Sequence, residues 1–315
     1  MSGNLTSPQS NTTHTHSAAD TVVTLAFDIG GSKTQAVRTE NGRVVAETIV
    51  GSANVSSMGI EEAGRQLDAA IAALGGADGV HAVLAGSAGV DTEASQQRLK
   101  TLLVQRLPDA EVGVVHDTHL ILAAAGVDEG IALISGTGAV AWGVTATDTA
   151  RAGGWGHLLG DEGSGYWVAR EAVRRALHDL DVGRPATVLT DRLVTECGVD
   201  GPFDLLDHFY TRADRQYWAG RARVVFELAA QGDRRSEEII DTAAAALGEL
   251  VVTVATRLRS SGPVVLAGGQ AVNQPELQRR VAAILAEHHI TDIRILDVDP
   301  VHGAVRLAHS LLRAV

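Results

Sequence analysis

The chain has 315 residues, enough for two domains of roughly 150 residues each, and a formal net charge of −12, which disfavours nucleic acid as a partner. Its content of 45% hydrophobic and 20% charged residues is typical of a soluble globular protein rather than a disordered one. A single cysteine, Cys197, excludes an intramolecular disulfide and a multi-cysteine metal site, and it favours a reducing cytoplasm.

The first predicted elements follow a polar amino-terminal segment. Residues 1–20 are small and polar, without the apolar run of a signal peptide, and are predicted to be a disordered tail. A β-rich strand follows and ends in Asp28 and two glycines, and a hairpin with the turn Glu40-Asn41-Gly42 lies beside it. Helices and strands then alternate, at 60–74, 81–86, 93–107 and 112–116. The resulting order βββαβαβ differs from the regular alternation of most doubly wound folds.

The second half begins in a similar way, with strands at 131–135 and 139–145 on either side of a glycine turn. The uncharged stretch 131–147 is too short and too polar to span a membrane. Further elements are helices at 164–180, 214–230 and 233–258, a strand ending at Gly268, a helix starting near Pro275, a strand at 293–296 and a terminal helix at 303–312. The helix at 233–258 is apolar enough to be a central buried helix.

Two glycine turns at strand ends are candidate phosphate sites. The first is Gly30-Gly31-Ser32-Lys33, where backbone N–H groups can close around phosphate oxygens that a Cβ would obstruct. It is no Walker loop, because a strand follows it. Asp28 beside it could hold Mg²⁺, directly or through water. The second turn, Ser135-Gly136-Thr137-Gly138, could face the phosphate from the opposite side, although a plain turn is the favoured interpretation of either turn taken alone.

The segment from Gly153 to Trp167 combines many glycines with two tryptophans, a histidine and two carboxylates. A polyhydroxylated ligand requires such groups, since carboxylates accept hydroxyl hydrogen bonds and a ring covers the apolar face of a sugar. The alternative is an elaborate helix start, in which Asp161 or Ser164 only caps the helix that follows.

Asp117 follows the last strand of the first half, where open sheets place their ligands. Its carboxylate could take the proton from an attacking hydroxyl group. The neighbouring His116 alternates toward the inside of its strand and is predicted to be a hydrogen-bonded core residue.

These motifs resemble the sugar-kinase, actin and heat-shock ATPase superfamily, and within it the N-acetylglucosamine kinase or BadF/BadG/BcrA/BcrD-type ATPase family. The resemblance extends from Leu25 to Leu307 through DIGGSKT, HDT, SGTG, GGWGHLLGDEGSGYWVA, VVLAGGQ and PVHGA. It implies an α/β fold of two ribonuclease-H-like domains, the actin-like ATPase fold, with a cleft between them. We place these domains at 21–116 and 117–302, with the terminal helix at 303–315 packed back on the first. The resemblance also implies ATP with Mg²⁺ and a homodimer.

The resemblance also implies roles for individual residues. Asp117 resembles the catalytic base of the family. Its sugar contacts correspond to Asn54, Gly154, Trp155, Gly156 and Asp161. Its nucleotide contacts correspond to Ser32, Thr137, Ala229, Gly268 and Gly269.

The favoured interpretation is a cytoplasmic, ATP-dependent kinase that phosphorylates the 6-hydroxyl of N-acetylglucosamine or a close relative, with neither nucleic acid nor membrane as partner. Glucosamine, N-acetylmuramate and glucose remain open as acceptors, because Val55-Ser56 and Ala139-Val140 replace the His-Trp and Ser-Asn of the animal enzymes. Two alternatives of another class are an ATP-driven switch acting on a protein partner and a sugar sensor without turnover. The ring beside carboxylates in the glycine-rich segment favours a sugar ligand.

Overall fold

The computed structural model describes residues 21–90, 92–212 and 214–313; the predicted tail at 1–20 lies outside this part of the chain. These described residues form two five-stranded mixed sheets. The first has the order β3-β2-β1-β4-β5, with β1 (Val23–Ile29), β2 (Lys33–Glu40), β3 (Arg43–Gly51), β4 (Val80–Ser87) and β5 (Glu111–His116). The second has the order β10-β9-β6-β7-β8, with β6 (Gly130–Ser135), β7 (Ala139–Val144), β8 (Thr149–Gly153), β9 (Val264–Ala267) and β10 (Ile293–Ile295).

The two sheets repeat one topology. In each, three antiparallel strands come first, and two later strands pair in parallel on the other side of the first strand. The predicted α/β class and the similarity of the two halves are therefore confirmed. The helices are α1 (Ile60–Ala73), α2 (Glu93–Arg106), α3 (Asp117–Ala124), α4 (Gly165–Asp181), α5 (Val188–Cys197), α6 (Asp204–Thr211), α7 (Arg215–Ala229), α8 (Arg234–Leu258), α9 (Gly269–Asn273), α10 (Pro275–Glu287) and α11 (Val301–Leu311).

Helix α8 is the central helix of the second domain, as its composition predicts. It packs against β6, β7 and β8, and Gly143 of β7 lets it approach closely, since a Cβ there would lie 2.4 Å from Leu258. Among the described helices, α8 is also the one whose length and composition would suffice to cross a membrane, with 44% of its apolar window buried. Its buried side chains contribute to the larger hydrophobic core of the protein.

Helix α3 was not predicted, and it joins the two domains. Leu120 packs with β1, β4 and α11 on the side of the first sheet, whereas Ile121 and Leu122 pack against β6 and β9 of the second. A helix buried on both sides has no polar face, so its sequence lacks the helical periodicity that would reveal it. The packing is close, because a Cβ at Gly303 of α11 would lie 2.0 Å from the carbonyl oxygen of Leu120. Asp117, the first residue of α3, therefore lies between the two sheets.

Candidate functional site

A cleft of about 910 Å³ lies between the two domains, where β1, β5, β6 and β9 end. Open α/β sheets bind ligands at the carboxyl ends of their strands. Six residues that the sequence singles out line the cleft: Asp28, Gly30, Lys33, Asp117, Gly268 and Gly269. They are brought together from three separate parts of the chain.

The carboxylate of Asp117 points into this region from the start of α3. Its side chain is 27% exposed, and Oδ1 is buried 2.9 Å from Nδ1 of His116. This contact lacks hydrogen-bond geometry, so within the described chain Oδ1 accepts no hydrogen bond. The helix N-terminus favours a negative charge at this position. The side chain also lines the cleft, where a carboxylate can take a proton from a hydroxyl group.

Asp28 lies near the end of β1 and faces the same cleft. Burial, followed by the negative charges of Asp117 and Asp299, raises the pKa of Asp28 from 3.8 to about 6, although Lys33 opposes the shift. Asp299, which sequence reasoning missed, also accepts a hydrogen bond of 3.3 Å from Gln35 Nε2. The cleft thus gathers carboxylates whose mutual repulsion a cation would relieve.

The residues present fit a magnesium ion that arrives with a nucleotide. In the part of the chain that the structure describes, no three His, Cys, Asp or Glu side chains are grouped as a metal cage. Mg²⁺ commonly uses one or two carboxylates and takes its other ligands from phosphates and water. Asp28 is such a carboxylate, because its burial beside other acidic groups disfavours the ionised form that a cation would stabilise.

The glycine turns after β1 and β9 line the cleft, and the turn after β6 contacts the turn after β9. The first is closed by a 2.9 Å hydrogen bond from Gly30 N to Lys33 O and leaves Gly31 and Ser32 exposed. The turn at Gly136-Thr137-Gly138 touches the turn after β9, since a Cβ on Gly136 would lie 3.6 Å from Gly269 N. These exposed or neighbouring backbone N–H groups can bind phosphate oxygens.

Gln270, which sequence reasoning also missed, connects these turns to the glycine-rich segment. Its buried Nε2 donates to Gly163 O at 2.6 Å and to Ser135 Oγ at 3.3 Å, and Ser135 Oγ itself donates to Gly163 O at 3.0 Å. Gly165 N donates to Gly136 O at 2.7 Å. The turn after β6, the turn after β9 and the segment before α4 are therefore one hydrogen-bonded unit.

The glycine-rich segment has both a buried and an exposed part. Asp161 is buried with a left-handed backbone, and it lies against the second glycine turn, because a Cβ on Gly138 would be 3.0 Å from Asp161 Oδ2. Ser164 caps α4 by accepting from Trp167 N at 3.2 Å, so the capping role belongs to Ser164 and not to Asp161. Trp155 is 66% exposed, with the Arg151 guanidinium 5.0 Å from its ring centroid.

The other predicted site residues are not among the described residues that line this cleft: Gly31, Ser32, Asn54, Gly136, Thr137, Gly138, Gly154, Trp155, Gly156, Asp161 and Ala229. Two of them are held within the protein by contacts of their own. Asn54 is buried; its amide donates to Ala88 O at 2.7 Å and its oxygen accepts from Ser56 N and Ser57 N. In this structure it holds its own loop together. Ala229 lies in the last turn of α7, within the core of the second domain.

Comparisons with known proteins identify the family of the chain. The family model described as "BadF/BadG/BcrA/BcrD ATPase family" matches residues 26–308. The chain belongs to the BadF/BadG/BcrA/BcrD ATPase family. Among relatives of this family member, an N-acetylmuramic acid/N-acetylglucosamine kinase from Clostridium acetobutylicum is 30% identical over 301 residues, covering 91% of this chain and 98% of the relative.

Two further comparisons concern a second relative and the fold. An N-acetyl-D-glucosamine kinase from Dictyostelium discoideum is 29% identical over 241 residues, covering 73% of this chain and 75% of the relative. A crystal structure from Chromobacterium violaceum, provisionally named an N-acetylglucosamine kinase, has a TM-score of 0.68 at 23% identity and covers 91% of this chain and 99% of its own. At that identity the structure supports the shared two-domain fold alone.

Proposed function

We propose that this BadF/BadG/BcrA/BcrD-family protein is an ATP-dependent kinase that phosphorylates the 6-hydroxyl of N-acetylglucosamine or a close relative. The observation that carries the proposal is the position of Asp117 at the start of α3, where its partly exposed side chain lines the same cleft as Asp28, Lys33 and the Gly268-Gly269 turn. The names of the two relatives support an amino-sugar acceptor and a phosphoryl donor.

In the proposed reaction Asp117 accepts the proton of the acceptor hydroxyl. The oxygen then forms a bond to the γ-phosphorus of ATP while the bond from that phosphorus to the β-phosphate oxygen breaks, and ADP leaves. Phosphoryl transfer of this kind depends mainly on positioning and on electrostatic stabilisation. Asp117 supplies the positioning, because it lies between the two domains and can orient the acceptor hydroxyl toward ATP.

The glycine turns are proposed to hold the phosphates. N–H groups of Gly31 and Ser32 would approach from the first domain, with the Lys33 ammonium beside them and the Gly30 N–H closing the turn on Lys33 O. The turns Gly136-Thr137-Gly138 and Gly268-Gly269 would approach from the second domain. Mg²⁺, when bound with the nucleotide, supplies charge neutralisation, and Asp28 would hold it. Ala229 is proposed as a further nucleotide contact only on the ground of the resemblance.

The glycine-rich segment is proposed to hold the sugar. Gly154 and Gly156 give the backbone close access, Trp155 offers a ring to the apolar sugar face, and Asp161 accepts hydroxyl hydrogen bonds. For Asn54 the bonds within its loop leave one amide hydrogen for a ligand. Contact between Asn54 and the sugar would follow from closure of the cleft.

A coupled ADP-release assay tests the proposed function. Glucose, glucosamine, N-acetylglucosamine, N-acetylmannosamine and N-acetylmuramate are offered separately with ATP and Mg²⁺, and each is repeated with EDTA. We expect ADP release that requires an N-acetylhexosamine and the metal. Release that no sugar changes would contradict the kinase assignment and support a switch that acts on a protein partner.

The quaternary structure and the cellular location of the protein are also proposals. We propose a homodimer in the cytoplasm, in line with the resemblance and with the single cysteine. Sedimentation equilibrium of the purified protein measures the oligomeric state, and a mass of one chain at working concentration contradicts the dimer.

A further inference from the structure

We propose that His116, stacked on Trp142, is a positioning residue that holds Asp117 in a fixed relation to the glycine-rich segment. The inference rests on the proposed function, because it assigns a role relative to the proposed base and the proposed acceptor site. It concerns an interdomain contact, since β5 is the edge strand of the first sheet and β7 belongs to the second.

The ring of His116 is held on its face by Trp142. The two ring centroids are 3.9 Å apart and the planes differ by 15°, which is a stacked arrangement. The His116 side chain is 14% exposed. Stacked aromatic pairs favour a narrow range of geometries, so a displacement of β7 relative to β5 would cost the stacking energy. The stack therefore connects the two domains one residue from Asp117.

The same ring is held on its edge by the start of α3. Nδ1 lies 2.9 Å from Thr118 Oγ1 and accepts a hydrogen bond of 3.4 Å from Thr118 N, which makes His116 the N-cap of α3. The same nitrogen lies 2.9 Å from Asp117 Oδ1. The imidazole thus limits where the short Asp117 side chain can place its carboxylate.

A continuous series of contacts leads from this stack to the acceptor segment. Trp142 pairs across the strands with Arg151 of β8. Arg151 donates from Nε to Gly153 O at 3.1 Å and from Nη2 to Gly154 O, and its guanidinium lies over the Trp155 ring. Trp142, Arg151 and Trp155 line one hollow of about 300 Å³. Asp117 and the acceptor segment are therefore linked through packed side chains.

Ordinary core packing does not account for Trp142. Its Nε1 is buried, and among the described residues it has no hydrogen-bond partner. An unpaired buried N–H costs stability, so a phenylalanine or leucine would serve a purely structural position better. The large ring fits a requirement to extend across the domain boundary and stack on His116.

The test compares variants that remove or keep the stack. His116→Asn retains a side chain able to cap α3 but removes the ring, and Trp142→Leu removes the other ring. We expect each to lower kcat about ten- to hundredfold with the KM values for ATP and sugar within about threefold of wild type, because misplacement by about 1 Å can cost that much. Trp142→Phe, which conserves an aromatic face, should recover most of the rate.

A double variant separates positioning from two independent effects. If the rings act as one unit, His116→Asn combined with Trp142→Leu is about as slow as either single variant. A loss equal to the product of the single losses would overturn the proposal. So would a kcat of His116→Asn within about twofold of wild type.

A matched control is available in α6. His208 Nε2 and the Tyr217 hydroxyl form a hydrogen bond of 2.7 Å. The centroids of the His208 and Trp218 rings are 5.5 Å apart. His208→Asn should lower the melting temperature without changing kcat. Circular dichroism establishes that each variant is folded. Wild-type protein that turns over no sugar would count against the proposed function, whereas active wild type with an equally active His116→Asn counts against this inference alone.

Discussion

Gln270 and Gly163 are joined by a buried hydrogen bond, in which Gln270 Nε2 donates to the Gly163 carbonyl at 2.6 Å. The bond connects α9, which begins at the turn after β9, to the segment that contains Asp161. The proposed nucleotide and sugar contacts of the second domain therefore share one rigid support. A substitution of Gln270 should therefore affect the positions of both the proposed phosphate contacts and the proposed sugar contacts.

Gln270→Ala tests this support. The substitution removes both donated bonds and leaves buried acceptors less well satisfied, so we expect a loss of about 1–3 kcal/mol in the free energy of unfolding. The KM for the sugar should rise severalfold, because the segment before α4 loses its anchor. Urea denaturation and steady-state kinetics measure the two effects.

Gln278→Ala is the matched control for Gln270→Ala. Its Nε2 donates to Ala271 O at 2.8 Å and Val272 O at 2.9 Å, which are bonds of the same type to the other end of α9. We expect a comparable loss of stability with the sugar KM unchanged. An equal rise of the sugar KM in both variants would show that Gln270 has no specific link to the segment.

The two glycines after β9 are expected to have different roles, one structural and one functional. Gly268 has φ +86°, and a Cβ there would lie 2.6 Å from Ser135 O, whereas a Cβ at Gly269 meets nothing within 4 Å. We expect Gly268→Ala to lower stability by about 2–4 kcal/mol through strain and overlap. Gly269→Ala should keep the melting temperature but raise the KM for ATP, because its methyl group would face the proposed phosphate. Calorimetry and ATP titration measure these effects, and an unchanged ATP KM in Gly269→Ala would remove this residue from the nucleotide site.

The sequence predicted features that depend on neighbouring residues. The hairpin of β2 and β3 follows from two β-rich runs around Asn41-Gly42, both of which adopt positive φ. The glycine turns and the core helix α8 follow from equally local patterns. By contrast, β8 lies where a loop rich in glycine begins, and α5 and α6 are short helices of 10 and 8 residues; these three elements were not predicted.

The site could be predicted only in part, because some of its groups meet through distant contacts. Asp117 and Asp28 stand at strand ends, which the sequence reveals. Gln270 reaches a carbonyl 107 positions away, and Asp299 receives a hydrogen bond from Gln35, 264 positions away. His116 was predicted to be a hydrogen-bonded core residue; its ring is largely buried, but its main contact is the stack on Trp142 from the other domain. No pattern along the chain indicates these pairings.

Asp28 should make stability depend on pH in an unusual direction. Its pKa is about 6 in the folded protein and 3.8 ordinarily, so between these values the folded state binds more protons than the unfolded state. Stability therefore falls as pH rises from about 4 to about 6 and then carries a constant penalty. Asp28→Asn should be more stable than wild type at neutral pH, by on the order of 2 kcal/mol, and the difference should vanish below about pH 4.

Denaturation of both proteins across this pH range measures the effect of Asp28. The charges that face Asp28 are those of Asp117, Asp299 and Lys33, and Lys33→Met should enlarge the penalty, since the favourable cation is removed. A wild-type protein more stable than Asp28→Asn at neutral pH would contradict the raised pKa.

Asp117→Asn separates proton transfer from binding. Asparagine keeps the size of the side chain and its place at the start of α3 but cannot accept the hydroxyl proton. We expect kcat to fall about 100- to 10,000-fold, the range that general base catalysis contributes, while sugar affinity by calorimetry changes less than about fivefold. The like charge facing Asp28 also disappears, so the pKa of Asp28 should move back toward 3.8. A folded Asp117→Asn protein with near-normal turnover would exclude this carboxylate as the base, because no residual proton acceptor would remain at that position.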